Sequence, residues 1–157
     1  MKARHAMLVA LAAAVTLTAV AAAGPEAAKQ RVVITSGASQ TNQVAPFVLT
    51  PLQAGALKRD SGTLTASASG RTVMRNGQRI EIYVNVGTYK GKLGSLVTRH
   101  RTEYVDGGNG YHVGTGTWKV VRGTGQYAQI TGGGRSGTVW LDRGPWSFRS
   151  EGFLTVP

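Results

Sequence analysis

The chain has 157 residues and a formal charge of +11, from 18 Lys and Arg against 7 Asp and Glu. That length suits one domain able to bury an adequate core. The lack of cysteine excludes disulfide staples, a thiol nucleophile and a lipid-modified cysteine anchor.

The N-terminus opens on a short basic region, residues 1–5, followed by an apolar stretch over 6–23 that ends in Ala21, Ala22 and Ala23. These are the three parts of a secretory signal peptide, and cleavage after Ala23 is expected. The competing reading, a retained anchor, fits less well because the stretch is mostly alanine and lies at the short limit for a span. Cleavage removes Lys2 and Arg4, so the exported chain keeps 16 basic residues against 7 acids, a formal +9 with no membrane span. Residues 24–30 read as a flexible leader and 31–157 as one domain.

From there the pattern is β. Residues 31–36 form a plausible first strand, and 37–45 a polar loop. The next run carries Pro46 and Pro51, so any strand there is short or at an edge. Leu64, Ala66 and Ala68 share one face of a strand, with Thr63, Thr65, Ser67 and Ser69 on the other. Asn76-Gly77 between two strand-like runs is the strongest short hairpin signal in the chain. In the strand that follows, Ile80, Ile82, Val84 and Val86 face one way and Glu81, Tyr83 and Asn85 the other. After a basic turn over 89–94, Leu96, Thr98, His100, Thr102 and Tyr104 alternate with Val97, Arg99, Arg101, Glu103 and Val105. Residues 106–110 turn the chain again, and a last hairpin crosses 143–145. Strands about ten residues apart with turns between them, and no helical stretch, predict a single antiparallel β-barrel or a sandwich.

The stretch 114–137, GTGTWKVVRGTGQYAQITGGGRSG, organises the rest. Gly123 and Gly125 sit where an alternating strand ends, the usual place for a tight turn or bulge. Tyr127 and Ile130 are the large apolar groups nearby and are expected to point inward and plug the end of the sheet. Residues 123–128 also fit a glycine-x-glycine-x-x-alanine dinucleotide fingerprint. That motif requires a helix directly afterwards, which Gln129, Ile130, Thr131 and three glycines do not supply. The run 115–139 resembles the closing half of the allene oxide cyclase-like and dirigent-like β-barrels, in which a strand enters a G-T-G-x-Y/F-A turn and a glycine-rich strand returns. It looks most like their small secreted bacterial members. The resemblance implies an antiparallel barrel of about eight strands; it assigns no catalytic residue here.

Signatures of catalysis are missing: there is no G-x-S-x-G elbow and no H-E-x-x-H, and the seven acids are scattered. The histidines at 100 and 112 match no metal-ligand spacing, so neither a metal nor a cofactor is expected. The face with His100 and Tyr104 is free of charge, whereas its opposite carries Arg99, Arg101 and Glu103. Burying unpaired charge is expensive, so His100 and Tyr104 should face the lumen. By the same rule Ile82 and Val84 are expected beside them, lining a cavity for a small apolar ligand with one oxygen function. The leading expectation is a secreted, non-catalytic barrel; the alternative is a cyclase- or isomerase-like enzyme acting on a hydrophobic substrate in the same lumen. A third expectation is binding of anionic cell-envelope polymers by the dispersed positive charge. Nucleic acid is not the expected partner, because the aromatics do not interleave with a compact basic patch.

Overall fold

Period-2 alternation becomes strand throughout the computed structural model, which describes residues 27–39 and 44–157. The strands are β1 (Ala28–Ser39), β2 (Val44–Pro51), β3 (Asp60–Arg75), β4 (Gln78–Gly91), β5 (Ser95–Gly108), β6 (Tyr111–Gly123), β7 (Thr131–Leu141) and β8 (Pro145–Val156). Each pairs antiparallel with the next, and β8 returns to β1, closing a barrel in sequence order. The single antiparallel barrel of eight strands is therefore the observed architecture. The helical element among the described residues is one 3-10 turn, Gly125–Tyr127. The expected signal peptide lies outside the described residues.

Two of the turns follow from single dipeptides. Asn76 and Gly77 have φ of 51° and 76°, and Asn109 and Gly110 have 54° and 73°. Positive φ at both central positions is what a type I′ hairpin needs, and its twist matches that of the strands it joins.

β2 tolerates its two prolines because its two neighbours cover different parts of it. Its ladder with β1 runs only from Phe47 to Pro51, and its ladder with β3 only from Val44 to Leu49. Pro46 thus precedes the β1 ladder and Pro51 follows the β3 ladder, so neither missing N–H interrupts a ladder on both sides. The strand is short, as expected, but it is not an edge.

β1 starts at Ala28, so the last residues of the expected leader are strand rather than loose chain. Gln30 explains this. Its side chain turns inward, donates to the carbonyls of Gln53 (2.9 Å) and Leu57 (3.3 Å), and accepts from Leu57 N (2.9 Å). With the Leu52 N–H bond to the Arg31 carbonyl (2.9 Å), this amide holds the loop between β2 and β3 to the barrel.

One end of the barrel is packed solid. Phe47, Leu49, Leu64, Tyr89, Leu96, Trp118 and Leu154 fill it, and Tyr127 and Ile130 close it from below. Tyr127 is 0% exposed and donates its hydroxyl to Asp60 Oδ2 at 3.0 Å. The Asp60 carboxylate also accepts from the backbone N–H of Ser61 (2.8 Å) and Lys92 (2.9 Å), so one buried acid ties three segments together. Trp118 crosses the lumen floor: it lies opposite Gly134, which lies opposite Gly152, and its indole N–H reaches the Glu151 carbonyl at 3.2 Å. A Cβ on Gly134 would run into that same carbonyl, which is why β7 carries glycine there.

Toward the other end, β2 leaves β3 at Thr65, and from Ala66 to Arg75 β3 pairs only with β4 among the described residues.

Candidate functional site

Residues directly opposite one another in an antiparallel pair share a face. His100 lies opposite Asn85 of β4 and Trp118 of β6, and Thr102 lies opposite Tyr83 and Gly116. These positions all point into the barrel. Above the packed core they enclose a cavity of about 290 Å³. Tyr89, Leu64 and Phe148 lie at its base, with His100, Thr102 and Tyr104 along β5. Asn85, Ser136 and Thr138 face it from β4 and β7, and Trp140 and Trp146 stand near its rim. Ala66 and Ala68 border it on β3 and are themselves exposed.

His100 is 9% exposed. Its Nε2 lies 2.8 Å from Thr98 Oγ1 and 3.4 Å from the Tyr89 hydroxyl. Its ring sits edge-on to Phe148 at 6.0 Å and roughly parallel to Trp118 at 6.4 Å. Desolvation disfavours the imidazolium and lowers its pKa to about 4, so the ring is neutral near pH 7. Burial likewise pushes the Tyr89 phenol up, against a weaker opposing effect from its hydrogen bond with Thr98. Tyr104 is raised by burial too, with a Thr138 hydrogen bond opposing and the Tyr83 phenol adding to the rise. Its ring packs edge-on against Tyr83 at 5.6 Å. It also lies over Gly114, where a Cβ would fall 2.5 Å from Tyr104 Cε1, so glycine on β6 makes the space for the tyrosine on β5.

Near the rim Trp140 stacks on His112 at 3.8 Å, and His112 Nε2 meets Asp142 Oδ1 at 2.8 Å. Trp146 and Phe148 lie parallel at 5.9 Å. The wall is therefore largely aromatic, and among the described residues no charged side chain lines it.

Three buried polar atoms stand out because they have no hydrogen-bond partner among the described residues: Asn85 Oδ1, Ser136 Oγ and Ser150 Oγ. Asn85 and Ser136 line the cavity; Ser150, directly opposite Ser136, shares that inward face but is fully buried and does not line the cavity. Leaving such atoms unpaired typically costs about 1–3 kcal/mol each.

Of the four residues expected in the lumen, the structure brings His100 and Tyr104 to the cavity and places Ile82 and Val84 on the outer wall. Val84 lies opposite Arg101 and Ile82 opposite Glu103, so they share the face of those charges. Ile82 is nevertheless only 6% exposed. Glu103 spans this part of the wall, with Arg75 of β3 at 3.0 Å and Arg101 at 2.9 Å, and the alkyl stems of such arginines cover aliphatic surface while their charges stay in water. Glu151 makes the same fork with Arg31 (3.2 Å) and Arg149 (2.7 Å), opposite the equally buried Val33. Both carboxyls are held below the usual range by those guanidinium hydrogen bonds.

The lumen positions the sequence did not yield include Asn85, Ser136, Thr138, Trp146 and Tyr89, which belongs to β4 rather than to the basic turn expected over 89–94. Asn85 sits on the polar face of β4, and Ser136 and Thr138 lie within a glycine-rich strand whose alternation is weak. Among the described residues, no group of three or more His, Asp or Glu could hold a metal ion. No family model matches the chain, and neither a curated protein nor a solved structure is similar enough to be matched.

Proposed function

We propose that the protein is an exported, non-catalytic barrel that holds one small, neutral, mainly apolar molecule in its lumen. The observation that carries this reading is the pair of buried, unpartnered oxygens, Asn85 Oδ1 and Ser136 Oγ, set in an aromatic wall without charge. Asn85 Oδ1 is an acceptor, so it asks for a hydroxyl or N–H on the guest; Ser136 can donate or accept. The volume, about 290 Å³, is roughly twice that of a dry 150 Å³ cavity that takes up benzene. Export follows from the three-part leader, and the resemblance of residues 115–139 to allene oxide cyclase-like and dirigent-like barrels adds a lumen that receives hydrophobic molecules. Holding rather than converting the guest is favoured by the state of His100, whose low pKa makes it a weak base and whose Nε2 already faces two hydroxyls.

Native mass spectrometry of the protein purified from its own source tests this directly. The expected result is a retained molecule, released on denaturation, on a chain whose intact mass begins after Ala23. Ala66→Trp, which fills the cavity from β3, should remove the molecule and leave the fold intact. Retention by that variant at the parent level would overturn the lumen site, and a mature chain still beginning at Met1 would overturn export.

A further inference from the structure

The outer wall carries cations that the ion pairs do not use. One row of side chains around the barrel runs Ser67, Val86, Arg99, Lys119 across β3, β4, β5 and β6. Arg99 and Lys119 are direct cross-strand neighbours, an arrangement that destabilises a sheet when the charges are alike. Neither has a carboxylate partner among the described residues, whereas Glu81, Glu103 and Glu151 are each paired with other arginines. Arg122 lies one row toward the base and extends the strip, whereas Arg135, one row toward the rim, lies directly opposite Glu151. A shallow depression beside it is floored by Val84 and Val86, flanked by Ser67 and Ser69, and bordered on the far side by Arg99, Lys119 and Val121. Val121 is 53% exposed, pushed out where the β5–β6 register shifts between Val97 and Thr98.

We infer that this outer strip binds a linear acidic polysaccharide. The repulsion between Arg99 and Lys119 is relieved by an anion placed between them, and an arginine fork suits a carboxylate or sulfate. The valine floor meets the C–H faces of sugar rings, and the serine flank meets their hydroxyls. No aromatic ring lines the depression, so it lacks the stacking platform that single-stranded nucleic acid uses. The side chains of Arg99 and Lys119 are on the opposite face of the wall from the lumen.

Binding of polygalacturonate at moderate salt, with neutral dextran for comparison, tests the inference. The wild type should bind the acidic polymer and not dextran, and should melt at higher temperature in its presence. The double variant Arg99→Gln/Lys119→Gln should bind at least about tenfold more weakly, a change of about 1.4 kcal/mol, with a shallower salt dependence. Without polymer it should be no less stable than the parent, since a like-charge pair has been removed. The matched variant Lys29→Gln/Arg143→Gln, which removes equal charge elsewhere, should bind within about twofold of the parent, well short of a tenfold loss. Equal loss in both double variants would reduce the effect to net charge and overturn the site. Binding of single-stranded DNA or phosphatidylglycerol vesicles with the same dependence on Arg99 and Lys119 would overturn the assignment to a glycan.

Discussion

His100 ties the lumen to pH in a way that can be measured. Its pKa is lowered to about 4 in the folded chain from an ordinary 6.5. Between these values the unfolded chain takes up a proton that the folded chain refuses, so stability is fully present above pH 6.5 and falls as pH drops toward 4. The loss amounts to about 3 kcal/mol at 1.36 kcal/mol per pKa unit. Denaturant titrations across that window should show the slope in the parent and its removal in His100→Gln. An unchanged slope in the variant would mean another group carries it. The Glu103 and Glu151 forks act lower on the scale: their depressed pKa values give stability that is lost only as pH falls below the ordinary carboxylate range. Ser136 and Ser150 separate ligand chemistry from packing. Replacing either by alanine removes an unpaired hydroxyl, so both Ser136→Ala and Ser150→Ala should leave the empty protein as stable or up to about 1 kcal/mol more so. Only Ser136→Ala should weaken retention of a guest, because only Ser136 lines the cavity.

Among the elements, the turn around Gly125–Tyr127 was the most legible in sequence. Glycines at 123 and 125 marked the end of a strand, and Tyr127, the large apolar group just beyond, plugs the base as expected. Deleting its ring should cost about 3 kcal/mol or more, by the scale of buried aromatic truncations. Tyr127→Phe should cost less, about 1.5–3 kcal/mol, because it removes one hydrogen bond to a carboxylate that keeps its backbone donors. Equal losses in thermal or denaturant unfolding of the two variants would mean the ring contributes nothing beyond its hydroxyl. β4 was legible in period but not in sense. Alternation separates two faces without saying which is inward, and the aliphatic face was the natural choice. On β5 the cost of burying Arg99, Arg101 and Glu103 settled the matter correctly. On β4 the inner face carries Tyr83, Asn85, Gly87 and Tyr89, and Ile80 and Ile82 lie on the outer face. Pairing outward from the turn between Gly91 and Ser95 sets Val84 against Arg101, so the sequence held the correction in its register rather than in its hydropathy.

For the whole molecule, the decisive feature is that, among the described residues, the β2–β3 ladder covers only part of the barrel's height. β1 and β8 pair over their full lengths, from Ala28 with Val156 to Ser39 with Pro145. β2 is shorter than its neighbours, a consequence that the prolines at 46 and 51 foreshadowed, while the length of β3 beyond it could not be seen without the pairing. From Ala66 to Arg75 the far side of β3 is therefore a free edge among the described residues, and it borders the cavity through Ala66 and Ala68. Free edges invite pairing with other chains, and Gly70, Arg71 and Arg75 make this one poor for that purpose. Backbone N–H groups alternate in direction along a strand, so every second amide between Gly70 and Arg75 should lack a ladder partner. Those amides should exchange with solvent far faster than their neighbours, which are bonded to β4, and faster than any amide in the packed base around Leu49 and Leu96. A guest in the lumen, which touches the inner face and not this edge, should slow exchange of the bonded amides of β3 and β4 near Ala68 and Asn85 while leaving the free ones fast. Uniform protection along β3 in the empty protein would show that the barrel is closed over its full height and that the cavity is reached from the rim alone.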